Sequence, residues 1–218
     1  MYLQITNICD MGCRHCAFDC TTKGTHMSKD VFIETLHLVP RFDNLTIGGG
    51  EPLMHPMFFE LLDMAVEANG KAGHNELMVI TNGKEFEATK KLIQLAYEKR
   101  IILTVSLDKY HKPLPDYVMA EYLNVDRHPY INMAYSFIPG TLVKAGRAKD
   151  LPLAEDVCVD PQVIVDAHGR IWTCGCLRRN IGTVMNPQVP ADYVDGICNK
   201  DIMPLSKRIT RLPAVLCG

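Results

Sequence analysis

Short apolar runs alternate with amphipathic stretches through the first two thirds of the chain, and this alternation limits the fold more than any other feature. Residues 2–8 read as a strand, and 28–39 as a helix with Ser28 as its N-cap. Residues 45–47 form a short buried strand that runs into three glycines, Gly48, Gly49 and Gly50. Residues 56–69 are helical, because Phe58, Leu61, Leu62, Ala65 and Val66 recur at helical spacing. Residues 77–80 read as a strand that ends in the turn signal Thr81, Asn82, Gly83. An amphipathic helix over 84–100 carries Phe86, Leu92, Ile93 and Leu95, and an apolar strand follows over 101–107. A short helix over 115–123 and a fifth strand over 131–138 complete the series. Strands alternating with helices give βαβ units and a parallel sheet. Cys9, Glu51, Asn82, Ser106 and Asp108 all follow strands, at the carboxyl edge where parallel α/β folds carry their chemistry.

The chain has 218 residues, 47% of them hydrophobic, which is enough for one sizeable core. The net charge of −2 excludes a polybasic nucleic-acid footprint and an acidic tail. No apolar run reaches the ~20 residues of a membrane helix. The first ten residues lack the basic start and apolar core of an export signal, so a cytoplasmic location is expected. Nine cysteines are many for such a chain. Four lie from Cys9 to Cys20 and five from Cys158 to Cys217, with none between. In a reducing compartment thiols stay free or bind metal, so the two groups point to two sulfur sites.

The first group opens with Cys9, Cys13 and Cys16 in a CxxxCxxC pattern directly after the first strand. Three thiolates on one short loop can hold three irons of a [4Fe-4S] cluster and leave the fourth open for a small molecule. Gly12 lets the loop wrap closely. A helix with its cysteines on one face fits poorly with Gly12 and with the preceding strand. Structural zinc, with Cys20 as fourth ligand, prefers separated pairs of close ligands. Cys20 is then either structural or a thiol beside the cluster.

The CxxxCxxC pattern followed by Gly49, Gly50, Glu51 and Pro52, each at a strand end, resembles the radical S-adenosylmethionine (SAM) superfamily over about residues 1–148. The resemblance implies a partial (β/α)6 barrel of the TIM type. It implies a [4Fe-4S] cluster on Cys9, Cys13 and Cys16 whose unique iron chelates SAM. Reductive cleavage would then give a 5′-deoxyadenosyl radical that abstracts a substrate hydrogen. Gly49, Gly50 and Glu51, with Pro52, match the segment that meets the SAM amino group. Ser106 and Asp108 fall where the family contacts the ribose or methionine moiety, and Ile138 and Gly140 where its backbone meets adenine. His15 stands where the family commonly has an aromatic residue near adenine; it is either a stacking partner or an exposed loop histidine.

After residues 144–148 the character changes. Residues 163–165 and 170–173 flank a turn with Gly169, which reads as a β-hairpin. Cys158, Gly169 and Cys174 in a C-x10-G-x4-C spacing look like the opening of SPASM and twitch extensions, which bind auxiliary iron–sulfur clusters. The segment 144–148 is also similar to one found before such extensions. Residues 149–218 are thus expected to form a small irregular region with one auxiliary cluster. Cys158, Cys174, Cys198 and Cys217 rank first as ligands, and Cys176 is a further ligand or a free thiol. Four thiolates in such a region also suit structural zinc.

The resulting expectation is a radical SAM enzyme acting on a peptide, protein or small molecule, reduced by a flavodoxin or ferredoxin. A glycyl-radical activase and a deazaguanine-forming synthase are rival enzymes that leave the second cysteine group unexplained. A non-catalytic iron–sulfur or zinc protein is the rival of another class, and it gives Glu51 and its glycines no purpose. Asp108, Tyr110 and His111 either face a substrate or cap the next segment, and Trp172 packs the hairpin.

Overall fold

The computed structural model describes residues 1–38, 44–72, 76–135, 145–151, 162–175, 177 and 179–188. Five strands and four helices alternate, in the order expected: β1 (Tyr2–Gln4), α1 (Lys29–Leu36), β2 (Asn44–Gly48), α2 (Phe58–Ala72), β3 (Glu76–Thr81), α3 (Phe86–Tyr97), β4 (Ile102–Ser106), α4 (Asp116–Val125) and β5 (Ile131–Ala134). Four short strands follow: β6 (Ile164–Val165), β7 (Arg170–Trp172), β8 (Asn180–Thr183) and β9 (Asn186–Pro187). All nine join one sheet in the order β5-β4-β3-β2-β1-β6-β7-β8-β9. Strands β1 to β5 pair in parallel, as does β6 with β1, whereas β6 to β9 pair antiparallel. The sheet is the open wall of a partial TIM-type barrel and does not close among the described residues.

Alternate residues of each parallel strand enter one core. Leu3, Ile47, Val79, Leu103 and Met133 meet Phe32 of α1, Leu61 and Ala65 of α2, Leu92 and Ala96 of α3, and Tyr122 of α4. The other sheet face is also largely covered, with Thr46 and Thr104 buried, as expected for parallel strands. Ser28 caps α1 by accepting a hydrogen bond from Val31 N at 3.3 Å. Tyr122 Oη donates to Gly83 O at 2.6 Å and so ties α4 to the turn after β3. That turn needs its glycine: Gly83 has φ 71°, and a Cβ there would lie 2.6 Å from Val105.

The expected hairpin forms as β6 and β7. Asp166 builds its turn, accepting from His168 N at 2.9 Å and from Arg170 N at 3.1 Å. The Trp172 indole donates to the same carboxylate at 2.9 Å, so this tryptophan serves the hairpin. Strand β6 docks on β1 with Tyr2 opposite Ile164 and Leu3 opposite Val165. The hairpin therefore extends the sheet of the barrel.

Replacing fully buried Leu103 with Ala should cost about 3 kcal/mol by chemical denaturation. Leu123→Ala, at a residue of α4 that is itself 58% exposed, should stay within about 0.5 kcal/mol. Equal losses would place the core elsewhere.

Candidate metal centre

The backbone carries β1–β2 pairing past the ends of both strands. Gly50 N donates to Thr6 O at 2.6 Å and Glu51 N to Ile8 O at 2.8 Å. This contact leaves no room for side chains. A Cβ on Gly49 would lie 2.6 Å from Thr6 O, and one on Gly50 would lie 2.2 Å from Ile8 O and 3.0 Å from Cys9 Cβ. The glycines thus allow the loop after β2 to lie on the loop after β1, directly against Cys9. Pro52 is buried and opens a 3-10 turn over Pro52–Met54.

Cys9, Cys13 and Cys16 occupy one loop, turned by Gly12 at φ 66°. Cys13 is buried, and Cys9 and Cys16 are half-buried. Burial pushes the Cys9 thiol above its ordinary range, while backbone donors oppose it. Cys16 is held down to about 6 by a hydrogen bond from the Cys20 thiol, aided by the backbone N–H groups of Cys20 and Phe18 and by the charge of Arg147. Cys20 itself is pushed up by that contact and by burial.

Arg147 fastens this loop from far along the chain. Its Nε donates to Cys13 O at 2.9 Å, and its NH1 to Cys20 O at 2.8 Å and to Asp19 Oδ1 at 2.9 Å. Arg147 N adds a bond to Cys16 O at 3.0 Å. Gly146, at φ 50°, passes so close that a Cβ would lie 2.6 Å from both Cys16 O and Ala17 O. Gly146 and Arg147, part of a segment that the sequence marks only by resemblance, form a strap under the cysteine loop. Its role is invisible locally, because its partners lie more than a hundred residues away.

Asp10 latches the loop to β3. Its carboxylate accepts from Asn82 Nδ2 at 3.2 Å and pairs with Lys84. Asn82 also makes its turn, accepting from Lys84 N at 2.9 Å. Glu51 is turned inward, where Thr81 Oγ1 donates to it at 2.7 Å, Asn82 N at 2.7 Å and Leu53 N at 3.1 Å. Its burial raises the carboxyl to about 7 against these three donors.

Ser106 and Asp108 are buried at the end of β4. Asp108 accepts from Tyr110 N at 2.8 Å and lies 3.2 Å from His111 Nδ1. Burial disfavours charge on both groups, but their attraction prevails: His111 is held up at about 9 and Asp108 below its usual range. His15 packs on the Tyr110 ring at 4.8 Å and the His111 ring at 5.2 Å, and its Nε2 is 3.9 Å from Asp108 Oδ2. Burial lowers the His15 imidazole to about 4. His15 is thus part of a ring cluster, with its side chain only 11% exposed. Tyr110 and His111 carried a polar signal in the sequence but no specific role.

The structure therefore brings the cysteine loop, Gly49 to Pro52, His15 and Asp108 to one edge of the sheet. Cys174 is buried and follows β7. Ile138, Gly140, Cys158, Cys176, Cys198 and Cys217 lie outside the described residues.

The sequence profile of the Radical SAM superfamily matches residues 3–127, more than half of the chain. The chain belongs to the radical SAM superfamily. Among solved structures, BtrN in complex with AdoMet and 2-DOIA shares its fold at 16% identity and a TM-score of 0.63, over 84% of this chain and 77% of that one. The anSMEcpe structure with bound AdoMet and the Kp18Cys peptide shares it at 13% identity and a TM-score of 0.53, over 86% and 78%. Comparison with curated proteins gave no match. The radical SAM family implies a [4Fe-4S] cluster, and the site fits one. It offers three soft thiol donors on one loop, and glycine-only backbone packs against the first of them.

Two outcomes follow from this geometry. Gly146→Ala and Arg147→Ala should each lower iron retention of reconstituted protein about 10-fold or more, the scale of outer-shell losses. Unchanged iron in both would remove the strap from the site. Glu51 adds a pH dependence. Its folded-state value of about 7 lies above the ordinary value, so its contribution is full below about 4.5 and disappears as pH rises through 7. Across that window the apoprotein should lose about 3 kcal/mol of unfolding free energy. In Glu51→Gln this slope should be absent, whatever the offset, and equal slopes would refute the assignment.

Proposed function

We propose that this chain is a radical SAM enzyme that cleaves SAM reductively and abstracts hydrogen from a peptide or protein substrate. The observation that carries the reading is the stacking of Gly49, Gly50 and Glu51 onto the loop of Cys9, Cys13 and Cys16. This pairs a three-thiolate site with a backbone edge suited to a small polar ligand. When bound, the [4Fe-4S] cluster and SAM supply the electron and the sulfonium from which the 5′-deoxyadenosyl radical arises.

The chain's own residues bind and orient. Cys9, Cys13 and Cys16 hold the cluster, and their number leaves one iron open for SAM. The carbonyls of Gly49 and Gly50 receive the SAM ammonium. The Glu51 carboxylate supports them from beneath by fixing the turns after β2 and β3. Asp108 and Ser106 face the ribose side, and the packed rings of His15, Tyr110 and His111 exclude water from that wall. Ile138 and Gly140 are proposed to meet adenine.

A second cluster is proposed on Cys158, Cys174, Cys198 and Cys217, with Cys176 as an alternate, in a twitch-like extension. The hairpin that precedes Cys174 supports this reading. A flavodoxin or ferredoxin in the cytoplasm is the proposed reductant. Among the described residues, no helix is long and apolar enough to cross a membrane. A peptide substrate draws support from anSMEcpe, which holds a peptide. A small-molecule substrate is the second reading, and the higher TM-score of BtrN, which holds 2-DOIA, favours it.

The test uses protein reconstituted without oxygen. Wild type should bind about eight irons and form 5′-deoxyadenosine with SAM and dithionite. Replacing Cys9, Cys13 and Cys16 together with Ala should abolish 5′-deoxyadenosine and leave about four irons. Retained cleavage would refute the catalytic site, and loss of all iron would refute the auxiliary cluster.

A further inference from the structure

Gly48 differs from the two glycines that follow it. Gly49 and Gly50 lie against the loop after β1, whereas Gly48 is still inside β2 and pairs with Gln4. A glycine within a strand often marks the close approach of another group. Here that group is the side chain of Tyr2, at the start of β1. Tyr2 pairs with Thr46, so it shares a sheet face with Thr46 and with Gly48. A Cβ on Gly48 would lie 2.2 Å from Tyr2 Oη and 2.7 Å from its Cζ. Gly48 thus leaves a slot that the phenol fills.

The phenol ends on the backbone of the site. Gly49 N donates to Tyr2 Oη at 2.9 Å. The carbonyl of the same peptide unit, Gly48 O, accepts from Ile5 N at 3.0 Å. The next unit is held through Gly50 N, which donates to Thr6 O at 2.6 Å. Both peptide planes that flank Gly49 are therefore tied down. A glycine has no Cβ to restrict its φ and ψ, so these two planes set the direction of the Gly49 carbonyl. Phe18, two residues beyond Cys16, stacks on the Tyr2 ring at 5.5 Å and 24°. One side chain thus touches the cysteine loop on one side and the glycine loop on the other.

We propose that Tyr2 is a positioning residue for SAM: seated over Gly48 and backed by Phe18, its hydroxyl fixes the Gly49 amide and so aims the Gly49 carbonyl at the SAM ammonium. The inference rests on the proposed function and extends it to a residue outside both motifs. Tyr2 acts through Gly49 and needs no contact with SAM. Without the hydroxyl, the Gly49 N–H loses its acceptor and the first plane is held from one end only. Gly48 has its purpose in the same arrangement, since any side chain there would displace the phenol.

The experiment is a calorimetric titration of SAM into the full chain, reconstituted without oxygen and kept oxidised, with iron counted in each sample. Wild type is compared with Tyr2→Phe, Gly48→Ala and the double variant. Phe keeps the ring on Phe18 and removes only the hydroxyl. Its Kd for SAM should rise about 5-fold at unchanged iron, the scale of one lost hydrogen bond. Gly48→Ala should expel the ring and weaken SAM at least as much. In that background Tyr2→Phe should add nothing, because the bond is already broken. Hydrogen–deuterium exchange of the same proteins gives a readout without SAM: the Gly49 amide should exchange faster in Tyr2→Phe, and the Gly50 amide should not. A structural role alone would lower stability and leave Kd unmoved at full iron. If Gly48→Ala does not fold, Tyr2→Phe decides by Kd and exchange. An unchanged Kd in Tyr2→Phe would overturn the proposal and leave the proposed function standing. Losses that multiply in the double variant would separate Gly48 from Tyr2 and overturn it too. Wild type that fills its cluster but binds no SAM would overturn both readings.

Discussion

The contact between the ends of β1 and β2 governs the site. Two backbone bonds beyond the strands, from Gly50 N to Thr6 O and from Glu51 N to Ile8 O, bring two loops to van der Waals contact. Each loop alone would be an exposed turn with unspecified direction. Together they share one edge of the sheet, and Cys9 inherits the position of the sheet itself. The short distances from imagined Cβ atoms to Thr6 O and Ile8 O show why side chains are excluded there. An alanine at Gly50 would push the β2 loop away from Cys9, and so would act on the metal site through the backbone.

Around that contact the molecule spends buried polar groups freely. Glu51, Asn82, Asp108 and Thr81 are all buried; Glu51 accepts from Thr81 and Asn82 at the end of β3, and Asp108 from Tyr110 N in its own loop. Such groups are costly when unpaired. Here they hold the turns after β2, β3 and β4 in fixed relation. Arg147 does the same work for the cysteine loop from below, and its charge favours thiolate at Cys16. The site is therefore rigid at its backbone, where SAM and a cluster need fixed partners.

The alternating strands and helices were legible because their periodicity is local: Phe58, Leu61, Leu62 and Ala65 mark α2 as buried on one face before any contact is known. The strand ends were legible too, since Gly49, Gly50 and Cys9 carry backbone and ligand chemistry in their identities. Other features depend on distant partners. Nothing near Arg147 announces Cys13 or Cys20. The inward turn of Glu51 depends on Thr81 and Asn82, a strand away. Strand β6 is two residues long, and its docking on β1 rests on pairing across most of the chain. Gly169 was legible as a turn residue, but not its packing on Val31 of α1, where a Cβ would meet Cγ1 at 2.8 Å.

That docking also bears on how two sulfur sites would communicate. Strand β6 runs parallel to β1, and β7 runs back. Cys9 leaves β1 at the carboxyl edge of the parallel strands, whereas Cys174 follows β7 at the amino edge. With ~3.3 Å per residue along a strand, the two edges are separated by the full depth of the sheet. An auxiliary cluster built on Cys174, as proposed, would stand across the barrel wall from the radical cluster. A ligand to a substrate held against SAM would have to bridge that depth. An acceptor for an electron leaving an oxidised substrate need not, since it requires only proximity through packed protein. For the proposed second cluster, the topology of one two-residue strand would fit a relay role better than direct substrate ligation.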